Sequence, residues 1–220
     1  MKQLRDKNKE LELFLYRVRK RFFSRQAWVV LCKCLDKSDI RTTPEGIEVR
    51  EAQEGDLASI AYALPKELAG RLSAEKRLAM VMSRYKAGTR CLIAVNKQTA
   101  EVLGGCWCRP LAVEHALRPL LPDWPGVFEI STLFVAPEAR GNSVGSVLVS
   151  RACNVMAESG FQGCVSLVWY TRPASVKSHL KLRFRPVGEK VTASYLGYRK
   201  TWFSKDYRKQ ALPYYEDQAS

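Results

Sequence analysis

Apolar residues along this chain follow two spacings. Short runs that alternate or stay apolar throughout, bounded by turn residues, fall at 26–35, 47–51, 90–96, 100–109, 128–135 and 164–170, and they predict strands. Apolar positions three and four apart mark the helices. Residues 54–64 start with acidic side chains and stop at Pro65, residues 73–86 form a second such segment, and Val144, Val147 and Leu148 open a third. A fourth runs from Arg172 to Phe184 and is expected to end near Pro186 and Gly188. Leu4, Leu11, Leu15 and Val18 fit one further helical stripe, with Arg17, Arg19, Lys20, Arg21 and Arg25 crowding its end. Strands and helices therefore intermix along the chain, which predicts a mixed α/β domain.

Two connectors are unusual. Residues 36–46, with Thr42, Thr43, Pro44 and Gly46, are turn-rich and separate an N-terminal helix and strand extension (1–46) from the body of the domain (47–200) and its tail (201–220). Residues 110–126 contain Pro110, Pro119, Pro122 and Pro125 together with Glu114, His115 and Trp124, and are long for a hairpin connection. Long ordered loops often carry function, so this one is expected to border a substrate. From Tyr195 to Lys209 aromatic and basic residues interleave, which fits an edge strand with one buried aromatic face or a surface that stacks bases and contacts phosphates.

With 220 residues and 46% apolar content, one domain is expected, burying roughly 70% of the surface of the unfolded chain. No run approaches the ~20 apolar residues of a membrane span, and the first residues lack a signal-peptide core, so a cytoplasmic protein is expected. The net charge of +14 predicts an anionic partner: a substrate, a membrane surface or a nucleic acid. The basic N-terminal stripe fits a helix packed on the domain or one lying on anionic lipid, which would make the protein peripheral to a membrane. Seven cysteines lie mostly in apolar runs, where free thiols behave as small hydrophobes. Cys32 with Cys34 and Cys106 with Cys108 are one residue too close for zinc spacing, and the histidines are His115 and His179, so no metal site is expected.

The most informative stretch runs from Leu133 to Val149. Pro137 stops a strand, Arg140, Gly141, Asn142 and Ser143 make a turn of mostly small residues, and a helix begins at Val144. Backbone N–H groups at such a helix start have no partner inside the helix, so with the macrodipole they form an anion site, and Arg140 adds a charged donor. A helix capped by Asn142 or Ser143 for stability alone would read the same way. With the strand at 164–170 and the helix from Arg172 behind it, the order resembles the GNAT acetyltransferases. Their turn reads Arg/Gln-x-x-Gly-x-Gly/Ala, and Arg140 and Gly145 fall on its first and last positions, with Ser143 in place of the middle glycine. Their later motif, Asn-x-x-Ala/Ser-x-x-x-Tyr-x-Lys-x-Gly-Phe, is matched by Ser175, Lys181 and Phe184, while Arg172 stands for Asn, His179 for Tyr and Arg183 for Gly.

The resemblance covers residues 47–200 and implies a single α+β domain, a mixed and mostly antiparallel sheet flanked by helices. It implies acetyl-CoA as cosubstrate, held by Arg140, Gly141, Asn142, Ser143, Val144, Gly145, Ser146 and Ser175, with backbone N–H groups of Phe134 and Val135 facing the thioester where the strand splays. The acetyl group would pass directly to a primary amine, on a small anionic molecule or on a protein or peptide. An amine of pKa near 10.4 is neutral in only about one part in 2,500 at pH 7, so a base is sought. On strand 128–135 alternation is expected to put Glu129 and Ser131 on one side with Leu133 and Val135, and the resemblance makes Glu129 the base. An exposed strand-end carboxylate is the plainer reading. His179 stands where the family has the acid for the departing thiolate, or is a packed helix residue, with Tyr195 and Tyr198 next in line. No base is marked beside Cys106 or Cys108 for a covalent route. The competing class is a noncatalytic adaptor that binds nucleic acid or anionic membrane, for which Ser143, His179 and Arg183 are the departures that speak.

Overall fold

The computed structural model describes residues 23–35, 41–65, 68, 70, 72–196 and 198–207, so most of the N-terminal stripe and the end of the tail lie outside the described residues. The strands are β1 (Phe23–Cys34), β2 (Ile47–Glu51), β3 (Arg90–Asn96), β4 (Val102–Pro110), β5 (Val127–Val135), β6 (Gly163–Trp169), β7 (Arg185–Tyr195) and β8 (Tyr198–Ser204). The helices are α1 (Leu57–Ala63), α2 (Ala74–Lys86), α3 (Val144–Glu158) and α4 (Pro173–Lys181). All strands join one sheet in the order β2-β3-β4-β5-β6-β1-β7-β8. Its pairs are antiparallel except β5 with β6.

The position of β1 follows from its composition. A strand buried on both faces needs a continuous apolar run, and Val29, Val30 and Leu31 have no exposed surface. The strand is no appendage at an edge: Val30 stands opposite Leu167 of β6 on one side and Gly188 of β7 on the other. The boundary expected at residue 46 therefore does not divide the sheet.

Each face has its own cover. On one, α3 packs Val144, Leu148 and Ala152 against Leu31, Leu92, Cys106 and Phe128. On the other, α1 and α2 bring Ile60 and Val81 to Ile93 and Trp107, and α2 starts at Ser73, whose hydroxyl accepts from the Lys76 N–H. Farther along that face the proline-rich loop lays Leu111 and Leu117 on Val30, Val127 and Val165. Arg118 braces it by donating to the Trp124 carbonyl at 2.8 Å, and a side chain at Gly163 would strike the Trp124 ring. The segment expected to border a substrate is thus built as a cap on the core.

Pro186 and Gly188, expected to mark the end of the last helix, lie inside β7. The helix has already stopped at Lys181, and Arg183 turns the chain with φ of 63°. Opposite Val30 and Leu31 the β1–β7 register shifts and leaves Val187 unmatched, and such a bulge tolerates a proline that cannot donate.

Because β1 is central, truncating its buried side chain should cost what a core substitution costs. Leu31→Ala is expected to lower the unfolding free energy by about 2–5 kcal/mol in denaturant titration. A loss below about 1 kcal/mol would contradict the place assigned to this strand.

Candidate active site

Strand β5 does not pair evenly. Trp107 stands opposite Thr132 and Cys108 opposite Ile130, so Ser131 is an extra residue, a bulge whose hydroxyl donates to the Trp107 carbonyl at 3.3 Å. The parallel pairing of β5 with β6 ends at the same level, at Ile130 and Ser166, although both strands run on. Residues 132–135 are therefore paired to β4 alone, and their other backbone edge faces a cleft of about 490 Å³. It is lined by Leu133, Phe134, Val135 and Arg140 from β5 and the turn after it, by Trp169, Thr171 and Arg172 from the end of β6 and the start of α4, and by Pro65 and Leu68.

The turn from Arg140 leads out of this cleft into α3. Gly141 has φ of 88° and Ser143 φ of 60°, and no side chain caps the helix start. Asn142 and Ser143, which could have served as caps, leave the first N–H groups of α3 to other partners. The Arg140 guanidinium donates through Nε to the Val135 carbonyl at 3.3 Å, tying the turn to the end of β5. A Cβ at Gly145 would come within 3.3 Å of Val135, so the chain passes close to the cleft wall there. Ser143 and Arg183 both occupy positions where the resemblance expected glycine, and both keep the left-handed backbone (φ 60° and 63°).

The bulge changes which residues share a face. Leu133 and Val135 pack on the α3 side, whereas Phe134 belongs to the α1 and α2 side. Glu129 was expected beside Leu133 and Val135, but Ser131 adds one residue to the alternation and puts Glu129 on the face of Thr132 and Phe134. Its buried carboxylate is held by Arg109, its cross-strand partner, with Nη2 at 2.6 Å and Nε at 2.8 Å from Oε2. Next to this pair, Arg84 of α2 donates to the Thr132 hydroxyl at 2.9 Å and lies 5.8 Å from the Trp107 ring centre. Burial, and then the charge of Arg109, hold the Arg84 pKa below its ordinary value. Arg109 and Arg84 escaped sequence reading because the long connection between β4 and β5 hides the register that sets Arg109 opposite Glu129.

His179 is not brought to the cleft. Its ring is buried edge-on against Phe184, with centroids 5.0 Å apart, and Nδ1 lies 2.8 Å from the Ser175 carbonyl. A carbonyl only accepts, so Nδ1 carries the proton and Nε2 presents a lone pair, which has no partner among the described residues. A ring in this tautomer has no proton to give from Nε2, and its contacts are those of a packed helix residue. Tyr195 and Tyr198 sit exposed at the tip of the β7–β8 hairpin. Cys106 is enclosed, its Sγ 3.9 Å from that of Cys108, and this contact together with burial keeps its thiol protonated. The aromatic wall at Trp169 was also missed, since it lies where β6 leaves its partner and sequence does not show that departure.

Two measurements test these placements. Ser143→Gly and Arg183→Gly should each leave stability equal or raise it by up to about 1 kcal/mol, because the strain of the left-handed backbone is relieved against a modest loss to unfolded-chain entropy. A marked fall in melting temperature for both would contradict this. Burial lowers the His179 pKa, so below about pH 6.5 the unfolded chain binds a proton that the folded protein refuses. That part of the stability is whole above pH 6.5 and is lost as pH falls beneath it. Denaturant titrations at about pH 7.5 and 5.5 should show a smaller acid loss for His179→Phe, which keeps a ring against Phe184, than for the parent.

The acetyltransferase (GNAT) family profile matches residues 60–184. A search of curated protein sequences gave no match. Among solved structures, a GCN5-related N-acetyltransferase from Sphaerobacter thermophilus superposes with a TM-score of 0.60 at 19% identity, over 85% of this chain and 55% of that one. A Drosophila protein gives 0.57 at 13% identity, over 84% and 58%. An aminoglycoside N-acetyltransferase solved with coenzyme A gives 0.54 at 19% identity, over 66% and 92%. The chain thus spans little more than half the length of the first two, and at such identities the likeness is one of fold. The profile match covers more than half of this chain, from α1 through the strand, turn and helix around the cleft to Phe184, and on that ground the chain belongs to the acetyltransferase (GNAT) family.

Proposed function

We propose that the protein transfers an acetyl group from acetyl-CoA directly to the primary amine of a small, anionic acceptor. The observation that carries this reading is the cleft where β5 and β6 part, which opens beside the uncapped start of α3. The family and a neighbour solved with coenzyme A support the same choice.

The residues present fit the cosubstrate. An uncapped start on a helix running Val144–Glu158 offers free N–H groups and positive potential to a pyrophosphate, and Arg140 adds a guanidinium at its edge. Gly141, Asn142, Ser143, Val144, Gly145 and Ser146 would hold it through their backbone, and Ser175 stands near the opening of α4 across the cleft. The bound thioester supplies an activated acetyl group. The free backbone edge of Phe134 and Val135 lies where an N–H can meet the carbonyl oxygen as negative charge develops on it.

The acceptor amine must shed a proton before it attacks, at a cost of roughly 4.6 kcal/mol for a lysine-like amine at pH 7. Glu129 takes that proton directly or through one water, and Arg109 fixes the orientation of its carboxylate. No covalent enzyme intermediate is involved, in keeping with the protonated state of Cys106.

Gly145→Asp should abolish coenzyme A binding in calorimetry while circular dichroism stays unchanged, since a carboxylate would meet phosphate at close range. Unchanged affinity would remove this turn from the site. Glu129→Gln should slow acetyl transfer by roughly 10²-fold in a thiol-release assay and leave coenzyme A affinity nearly intact. Full activity of that variant across pH 6 to 9 would place the base elsewhere.

A further inference from the structure

We infer that the acceptor is an amine bearing an aromatic ring and a carboxylate or phosphate, and that it lies against a wall made by Trp28 and Trp169; the inference rests on the acetyl-transfer reading of the cleft. Lys190, Trp28 and Trp169 stand in one row across β7, β1 and β6, each opposite the next. The two indoles meet edge to face, with centroids 5.8 Å apart and an interplanar angle of 76°. A cation lies over each ring, with Lys190 Nζ 5.1 Å from the Trp28 centre and Arg172 Cζ 5.7 Å from that of Trp169. The row is continuous with the cleft, because Trp169 and Arg172 are themselves part of its lining.

Three features make this a binding wall. Trp169 is 42% exposed, although β6 is otherwise largely buried and the neighbouring row on the same face is covered by the proline-rich loop. A large apolar ring left open beside a cleft gains by covering itself with another ring, through area burial and through a further aromatic pair worth about 0.5–1.5 kcal/mol. The wall is also rigid: Trp28 is on a strand paired on both sides, so its ring is held before any ligand arrives. Finally, the charge is one-sided. Among the described residues the cleft is lined by Arg140 and Arg172 and by no carboxylate, and neither Arg172 nor Lys190 forms a carboxylate ion pair. With Arg140 assigned to the cosubstrate, Arg172 and Lys190 are left to face an anionic group carried on the ring.

Trp28 lies outside the stretch that matches the family profile. The strand inserted between β6 and β7 therefore brings a selectivity element with it, beyond completing the core. Trp28 is a positioning residue in this account, acting through the stack on Trp169 as well as by its own contact.

The test uses the whole chain in the presence of coenzyme A. Indole-3-acetate, an aromatic anion without an amine, should bind in calorimetry, whereas acetate and tryptamine should bind at least tenfold more weakly. Trp169→Ala and Trp28→Ala should each weaken indole-3-acetate at least tenfold with coenzyme A affinity unchanged, and Trp169→Phe, which keeps a ring, should recover part of the loss. Lys190→Gln should weaken indole-3-acetate and not tryptamine. In transfer assays phenylalanine, which joins ring, carboxylate and amine, should be preferred at least tenfold in kcat/KM over glycine and phenethylamine. Equal use of the three amines, or indole-3-acetate binding that ignores both tryptophans, would overturn the wall and leave acetyl transfer standing. Absence of both coenzyme A binding and transfer to any amine would take down the acetyl-transfer reading and this inference with it.

Discussion

The departure of β5 from β6 is the constraint on which the rest of the molecule turns. Parallel strands hold together by evenly spaced, slanted hydrogen bonds, and here that ladder ends at Ile130 and Ser166. One inserted residue, Ser131, rotates β5 away at the same level and keeps its pairing to β4. Everything beyond that level has one free edge, and the cleft is the space the missing pairs would have filled. The same inserted residue turns Glu129 toward Arg109 and leaves Leu133 and Val135 to pack beside α3. A single irregularity thus sets the place of the opening and the arrangement of charge around it.

Around this opening the chain accepts local cost. Ser143 and Arg183 hold left-handed conformations that side chains disfavour, one entering α3 and one leaving α4. Strain of this kind persists only where the surroundings fix it. Phe184, which follows Arg183 directly, is buried with His179 and Val176. The start of α3 is tied to β5 by Arg140 while its N–H groups stay uncapped, so the geometry is rigid and its donors remain available.

Much of this was legible in residue order. The apolar run at Val29 to Leu31, the strand, turn and helix from Leu133 to Val149, and the segments that became α1 and α2 all announced themselves through spacing. What stayed hidden depends on partners distant in sequence. Alternation along β5 carries no mark of an extra residue at Ser131, because the bulge exists only relative to β4. Pro186 and Gly188 looked like helix terminators, yet the bulge opposite Val30 and Leu31 lets a strand take them in. His179 looked like an acid by position, and its burial against Phe184 could not be read from a helical spacing. The proline-rich loop reads as a substrate border by its length, and its packing of Leu111 and Leu117 on the core depends on Val30, Val127 and Val165 of other strands.

The place of β1 bears on how the molecule comes into being during synthesis. This strand leaves the ribosome before every other strand described here, yet both of its neighbours, β6 and β7, lie more than a hundred residues downstream. It must wait, apolar and unpaired, while β2 to β5 can already zip into a meander of adjacent antiparallel strands. Closing so long a loop is slow, and an exposed Val-Val-Leu run in the meantime is prone to pair with the wrong edge. The sheet is therefore completed from its middle, late, by the strand that was made first.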